Sequence, residues 1–156
     1  MRVEVDRIST LLTAEYGGEA WHGPSTHEIL EGITPEAAVF RPSPRVHNIA
    51  ELVVHLTNWR IFVLEKLTGS ESFDIILNSE ADWSVIDELT PERWAEIQEN
   101  LKDTQDELLE TLTRVHTARL SEPVPGRRYN YYTLLHGLMH HDIYHSGQIA
   151  LLKKMQ

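Results

Sequence analysis

Residues Asn130 to Lys154, NYYTLLHGLMHHDIYHSGQIALLKK, carry four of the chain's nine histidines. They form two overlapping i,i+4 pairs, His136 with His140 and His141 with His145. Side chains four apart share one face of a helix, so either pair can grip one metal ion. On a helix turning about 100° per residue, Leu134, Leu138, Ile149 and Leu152 fall within about 60° of arc. His141 and His145 fall in or beside that arc, whereas His136 and His140 lie opposite it with Gly147 and Lys154. Two imidazoles on a Leu/Ile face need a partner, because unpartnered buried polar groups are costly. They are either core histidines satisfied by hydrogen bonds or ligands of one ion. A register that uses His136 and His140 as ligands instead would turn the leucine stripe outward.

The elements that position these groups are helical. Val3, Ile8, Leu11, Leu12 and Tyr16 predict an amphipathic first helix over residues 2–16, stopped by Gly17-Gly18. The turn Trp21-His22-Gly23-Pro24 follows; Trp21 reads as a core anchor and His22 as exposed. Ser25 with Glu28 is a capping box for a short helix near 26–31, and Thr34-Pro35-Glu36 starts another. Asn48 with Glu51 has the same cap spacing, and the chain from Ile49 to Leu67 is apolar around most of its circumference. Such a helix is central in a bundle or covered by a partner subunit. His55 sits beside its stripe of Leu52, Leu56, Trp59 and Val63 and is a third histidine directed inward. His47 lies on the polar strip with Glu51, Asn58 and Glu65 and is not expected to be a ligand.

Residues 68–90 read as a long irregular connection packed by Phe73, Ile75 and Trp83. Thr90-Pro91-Glu92 starts a helix whose stripe of Trp94, Ile97, Leu101, Leu108, Leu112 and Val115 runs to about residue 116. Residues 117–129, with Pro123, Pro125 and Gly126, are expected to form a loop, and Asn130 caps the last helix. No repeat and no convincing strand pair is present. The pattern predicts one all-α domain over residues 1–156, a bundle of four main helices with short extra helices after the first.

Composition narrows the chemistry. The chain has 156 residues, 41% hydrophobic and 24% charged, and a net charge of −10 with His neutral. That charge, without a Lys/Arg cluster, argues against a nucleic-acid face. No apolar run reaches membrane-spanning length and no signal-peptide pattern is present. Cysteine is absent, which excludes disulfides, thiolate ligands and a cysteine nucleophile, and fits a cytoplasmic setting. No phosphate-binding glycine loop, G-x-S-x-G or H-E-x-x-H motif occurs. The carboxylates read as solvated polar helix faces. What remains is the histidines. His55, His141 and His145 on two helices make a three-nitrogen set with one side open, the pattern of a catalytic rather than a structural zinc site. An ion there can lower the pKa of a bound water or thiol.

The segments WHGPSTHEILEGITPEAAVF (21–40), HNIAELVVHLTNW (47–59) and LHGLMHHDIYHSGQIALLKK (135–154) resemble the DinB/YfiT superfamily. The resemblance spans nearly the whole chain and is weakest over 68–90. It implies an up-down-down-up four-helix bundle, often a homodimer. It also implies a divalent ion, zinc or nickel, held by one histidine of the second main helix and two of the last. Carried onto this chain, those are His55, His141 and His145. Some members transfer or isomerise with a low-molecular-weight thiol such as bacillithiol or mycothiol, and others are described as metal-dependent hydrolases. The resemblance therefore implies a metal-dependent thiol S-transferase acting on a small molecule, with hydrolysis by metal-bound water as the second reading. A third is a metal- or small-ligand-binding stress-response bundle without turnover. Trp21, His22 and Trp59 are candidates for the pocket wall or an acid/base role.

Overall fold

In the computed structural model, which describes residues 3–156, every helix after the first α-helix begins at a cap legible in the chain, apart from one short 3-10 turn. Ser25 and Glu28 close a capping box on α2 (Thr26–Leu30), and Thr34 caps α3 (Pro35–Val39). Asn48 and Glu51 close a second box on α4 (Ile49–Thr68). Thr90 caps α5 (Pro91–Thr113), and Asn130 caps α6 (Tyr131–Lys154). At the far end of α4 the chain turns through Gly69 in the left-handed region, φ 97°, where only glycine is free of a side-chain clash. The first helix, α1, runs Val3–Gly17; the expected start at residue 2 lies outside the described residues. Among the described residues the protein is all-helical, without a strand beyond an isolated bridge between Pro123 and Asn130.

Two segments differ from expectation. Residues 117–129 are not a plain loop: a 3-10 helix covers Thr117–Ser121, and Leu120 and Val124 are buried. Correspondingly α5 stops at Thr113, because the next residues turn to bring Val115 into the core. Trp21 is not a core anchor but fully exposed. Gly23 in the turn after it has φ 128°, and Ile29 and Leu30 of α2 are the residues of this region buried in the core.

The core is two apolar clusters separated by a polar layer. One cluster joins α1 to residues 62–67 of α4, the end of α5 and the start of α6. The other joins α2 and α3 to residues 49–56 of α4, the start of α5 and the end of α6. Between them lies Arg60, with no exposed surface. Its guanidinium meets Glu15 of α1 at 3.2 Å, Asp142 of α6 at 2.8 Å and the Gln105 carbonyl of α5. Thr26 of α2 donates to Glu15 and shares a 2.7 Å hydrogen bond with Ser146 of α6. Burial and the nearby Asp142 charge raise Glu15 to about 7 against the pull of Arg60. The α4 circumference is covered from within the chain: fourteen of its twenty residues are buried, so no partner subunit is needed to shield it.

Removing one member of a buried charge cluster strands the others, at a cost of roughly 3–5 kcal/mol. Arg60→Met is expected to lower the unfolding free energy by that amount in urea titrations, with Glu15 and Asp142 left facing each other. A loss below about 1 kcal/mol would show that the layer contributes no more than a surface ion pair does.

Candidate metal centre

α6 turns two adjacent i,i+4 pairs in two directions. Asp142 and Ser146 enter the polar layer, and His141 and His145 face α4, where His55 meets them. The three imidazoles offer one ligand atom each, all within 4.8 Å of one another. The His55 and His141 Nε2 atoms are 3.0 Å apart. His55 and His145 are buried, and the His141 side chain is one-quarter exposed. His140 is exposed and His136 half-buried on the outer face of α6; their rings lie 6.4 Å apart, against 4.5 Å for His141 and His145.

The other ring nitrogens are all committed. His55 Nδ1 donates to the Asp82 carbonyl at 2.8 Å and lies 3.2 Å from Asp82 Oδ1. His141 Nδ1 faces Asp142 Oδ1 at 3.3 Å, and His145 Nδ1 faces Gln148 Oε1 at 3.2 Å. Carbonyl, carboxylate and amide oxygens accept, so each Nδ1 carries the proton and each Nε2 presents a lone pair. Two such lone pairs 3.0 Å apart repel unless a cation lies between them. Burial pushes His55 below the usual histidine range, and burial with the neighbouring His141 takes His145 down to about 4. Both are neutral at pH 7, the form that ligates. The donor set therefore fits one borderline divalent ion with three imidazole ligands, each oriented by an oxygen behind it.

Half of this arrangement comes from the connection over residues 69–90. Asp82 is buried, accepts Trp59 Nε1 on Oδ1 at 3.0 Å, and accepts the Asn78 N–H on Oδ2 at 2.8 Å. Trp83 lies flat between two imidazoles, 3.7 Å from His55 and 3.8 Å from His47. The segment is pinned further along. Glu51 takes two Arg41 hydrogen bonds, the Ile86 N–H at 3.0 Å and His47 Nδ1 at 2.9 Å. Asn48 donates to the Ile86 carbonyl at 2.6 Å. Asp82 and Trp83 carry no periodicity or spacing that marks a site; the one cue in the sequence is a tryptophan beside an acid in an otherwise irregular stretch. The expectation that carboxylates are solvated fails for Glu15, Glu51, Asp82 and Asp142, all buried. Each has a cation or a set of N–H donors that a linear reading does not show.

A cavity of about 560 Å³ opens in front of the three Nε2 atoms. Trp59 lines it, with Phe62 and Val63 of α4 and Leu134 and Leu138 of α6. Neither Trp21 nor His22 is among its lining residues; both are exposed in the turn before α2. His47 stands behind Trp83, bonded to Glu51.

Glu51 supplies a pH test of the anchoring. Burial raises its pKa, but Arg41, the Ile86 N–H and His47 outweigh this and bring it down to about 2 from 4.5. A depressed carboxylate stabilises the fold above its unfolded pKa, and that contribution is lost as pH falls from 4.5 toward 2. Glu51→Gln is expected to unfold more easily at neutral pH and to lose this part of the slope between pH 4.5 and 2 in acid titrations followed by circular dichroism. An unchanged slope would contradict the assignment.

Comparison with known families matches residues 20–149 to the model described as the DinB superfamily. No curated protein and no solved structure matches the chain.

Proposed function

Because the chain belongs to the DinB superfamily, we propose that it is a divalent-metal-dependent S-transferase that joins a low-molecular-weight thiol, through its sulfur, to a small electrophile. The observation that carries this reading is the convergence of three pre-oriented Nε2 atoms at the end of a mostly apolar cavity. Zinc or nickel suits three imidazoles, and such an ion, when bound, lowers the pKa of a thiol beside it. The up-down-down-up order and the homodimer that the resemblance implies belong to the same proposal.

The chain's own groups have separate tasks. Asp82, Asp142 and Gln148 hold the Nδ1 protons and so fix the three rings. The Trp83 ring covers one face of His55 and keeps water from it. Trp59 and Phe62 form a wall against which an electrophile can lie near the sulfur. The new C–S bond forms as the thiol proton passes to solvent and the displaced group leaves with the bonding pair. A hydrolase would need a free base to take a proton from water. Among the described residues lining the cavity the one carboxylate is Asp82, whose oxygens already accept from Trp59, His55 and Asn78. This favours the thiol reading over the hydrolytic one.

Zinc- or nickel-loaded protein, incubated with thiols and a panel of alkyl and aryl electrophiles, is expected to consume thiol and electrophile in equal amounts. Asp82→Ala is expected to weaken metal binding by about 10–100-fold in chelator competition, because the carboxylate that fixes the position of the His55-accepting carbonyl, through Trp59 Nε1 and the Asn78 N–H, is lost. Electrophile turnover that proceeds equally well without thiol would replace transfer by hydrolysis.

A further inference from the structure

The second i,i+4 histidine pair of α6 takes no part in the three-histidine centre. His136 is half-buried and His140 exposed on the outer face of the helix. Five positions of helix turn His136 about 140° away from His141, so the two pairs cannot share one ion. The contacts of the outer rings are aromatic. His136 lies 4.3 Å from Tyr132, one turn earlier, and 6.4 Å from His140, one turn later. Elsewhere the protein satisfies such rings with oxygen. His47, His55, His141 and His145 each meet an oxygen at Nδ1. His136 departs from that pattern: its Nε2 is buried and has no hydrogen-bond partner among the described residues. A buried nitrogen left without a partner costs free energy, and an ion is one of the few things that recovers it.

We propose that His136 and His140 chelate a second divalent transition ion on the outer face of α6, separate from the three-histidine centre and held more weakly. Two imidazoles are the ligands the chain supplies, and water completes the coordination. Such a donor set takes borderline ions, with copper(II) bound more tightly than nickel(II) or zinc. The geometry is within reach. An ion about 2.0–2.1 Å from each of two ring nitrogens, in tetrahedral arrangement, sets the ring centres about 5 Å apart. From 6.4 Å the rings close that gap by side-chain rotation, with α6 unmoved. The rotation takes His136 Nε2 out of its unpartnered place. The net charge of −10 favours the approach of a cation. With two protein ligands rather than three, the site exchanges its ion readily and fills after the first equivalent. It stands independently of the thiol reaction.

Protein loaded with one equivalent of zinc and freed of excess is titrated with further zinc by calorimetry. A second, weaker event of one ion is expected. His140→Gln, at an exposed position, and His136→Gln are each expected to weaken that event by about 10-fold or more, with the first equivalent retained. His27→Gln removes another exposed histidine, one with Glu31 at 3.7 Å, and is expected to change neither event. Folded His55→Ala protein is expected to lose the tight event and keep the weaker one. Copper(II) added to that variant is expected to give an electron paramagnetic resonance signal coupled to imidazole nitrogen, lost in His55→Ala/His140→Gln. The absence of a second event, or a second event that His136→Gln and His140→Gln leave unchanged, would overturn the proposal while the three-histidine centre stands. A single weak event in the wild type that depends on His136 and His140 would do the reverse.

Discussion

Arg60 is fully buried, and the two carboxylates it meets come from opposite ends of the chain, Glu15 in α1 and Asp142 in α6. Charges taken out of water in this way must find each other, and only one relative placement of the helices lets them do so. Through Gln105 and Thr26 the same cluster reaches α5 and α2. It lies between two apolar clusters that would otherwise let the helices slide, since leucine packs on leucine at many registers. The rotation of α6 that delivers Asp142 and Ser146 to the layer turns the neighbouring positions, His141 and His145, toward α4. The three-histidine cluster is thus placed by a structural charge cluster one step around the same helix, and Asp142 serves both, since its other oxygen faces His141 Nδ1.

Around that centre, neutral imidazole is maintained by burial and proton direction by acceptors. His145 is held down to about 4 and His55 also below its ordinary range, so neither competes for a proton near neutrality. The oxygens on the three Nδ1 atoms prevent the rings from turning their lone pairs elsewhere. What stands in front is a mostly apolar cavity about as large as many small-molecule sites, and among the described residues lining it the one carboxylate, Asp82, is already hydrogen-bonded to Trp59 and Asn78. A nucleophile that needs only to be deprotonated suits such a place better than one that needs a proton relay.

Much of this was legible in the chain because it rests on local rules. Ser25, Thr34, Asn48, Thr90 and Asn130 cap helices through side-chain chemistry that spans three residues. The inward direction of His55, His141 and His145 follows from phase against leucine. The missing parts are those whose partners are distant. Asp82 reaches His55 across twenty-seven positions, with no periodicity in the segment that carries it. Glu51 looks like a surface cap residue until Arg41 and Ile86 arrive from loops on either side. Trp21, read as a core anchor, is exposed in the turn before α2, and the buried residues there are the aliphatic Ile29 and Leu30 of α2. Arg60 gave no sign of being interior, since an arginine is buried only when its carboxylates are folded around it.

The central claim is that His55, His141 and His145 hold one divalent ion. Elemental analysis of the purified protein, with His55→Ala and His145→Ala alongside, tests it most directly. One equivalent of zinc or nickel in the wild type, lost in both variants while the helical circular dichroism persists, is the expected result. A wild type that is folded, metal-free and unable to take up either ion would contradict it, and the three imidazoles would then be core histidines satisfied by Asp82, Asp142 and Gln148 alone.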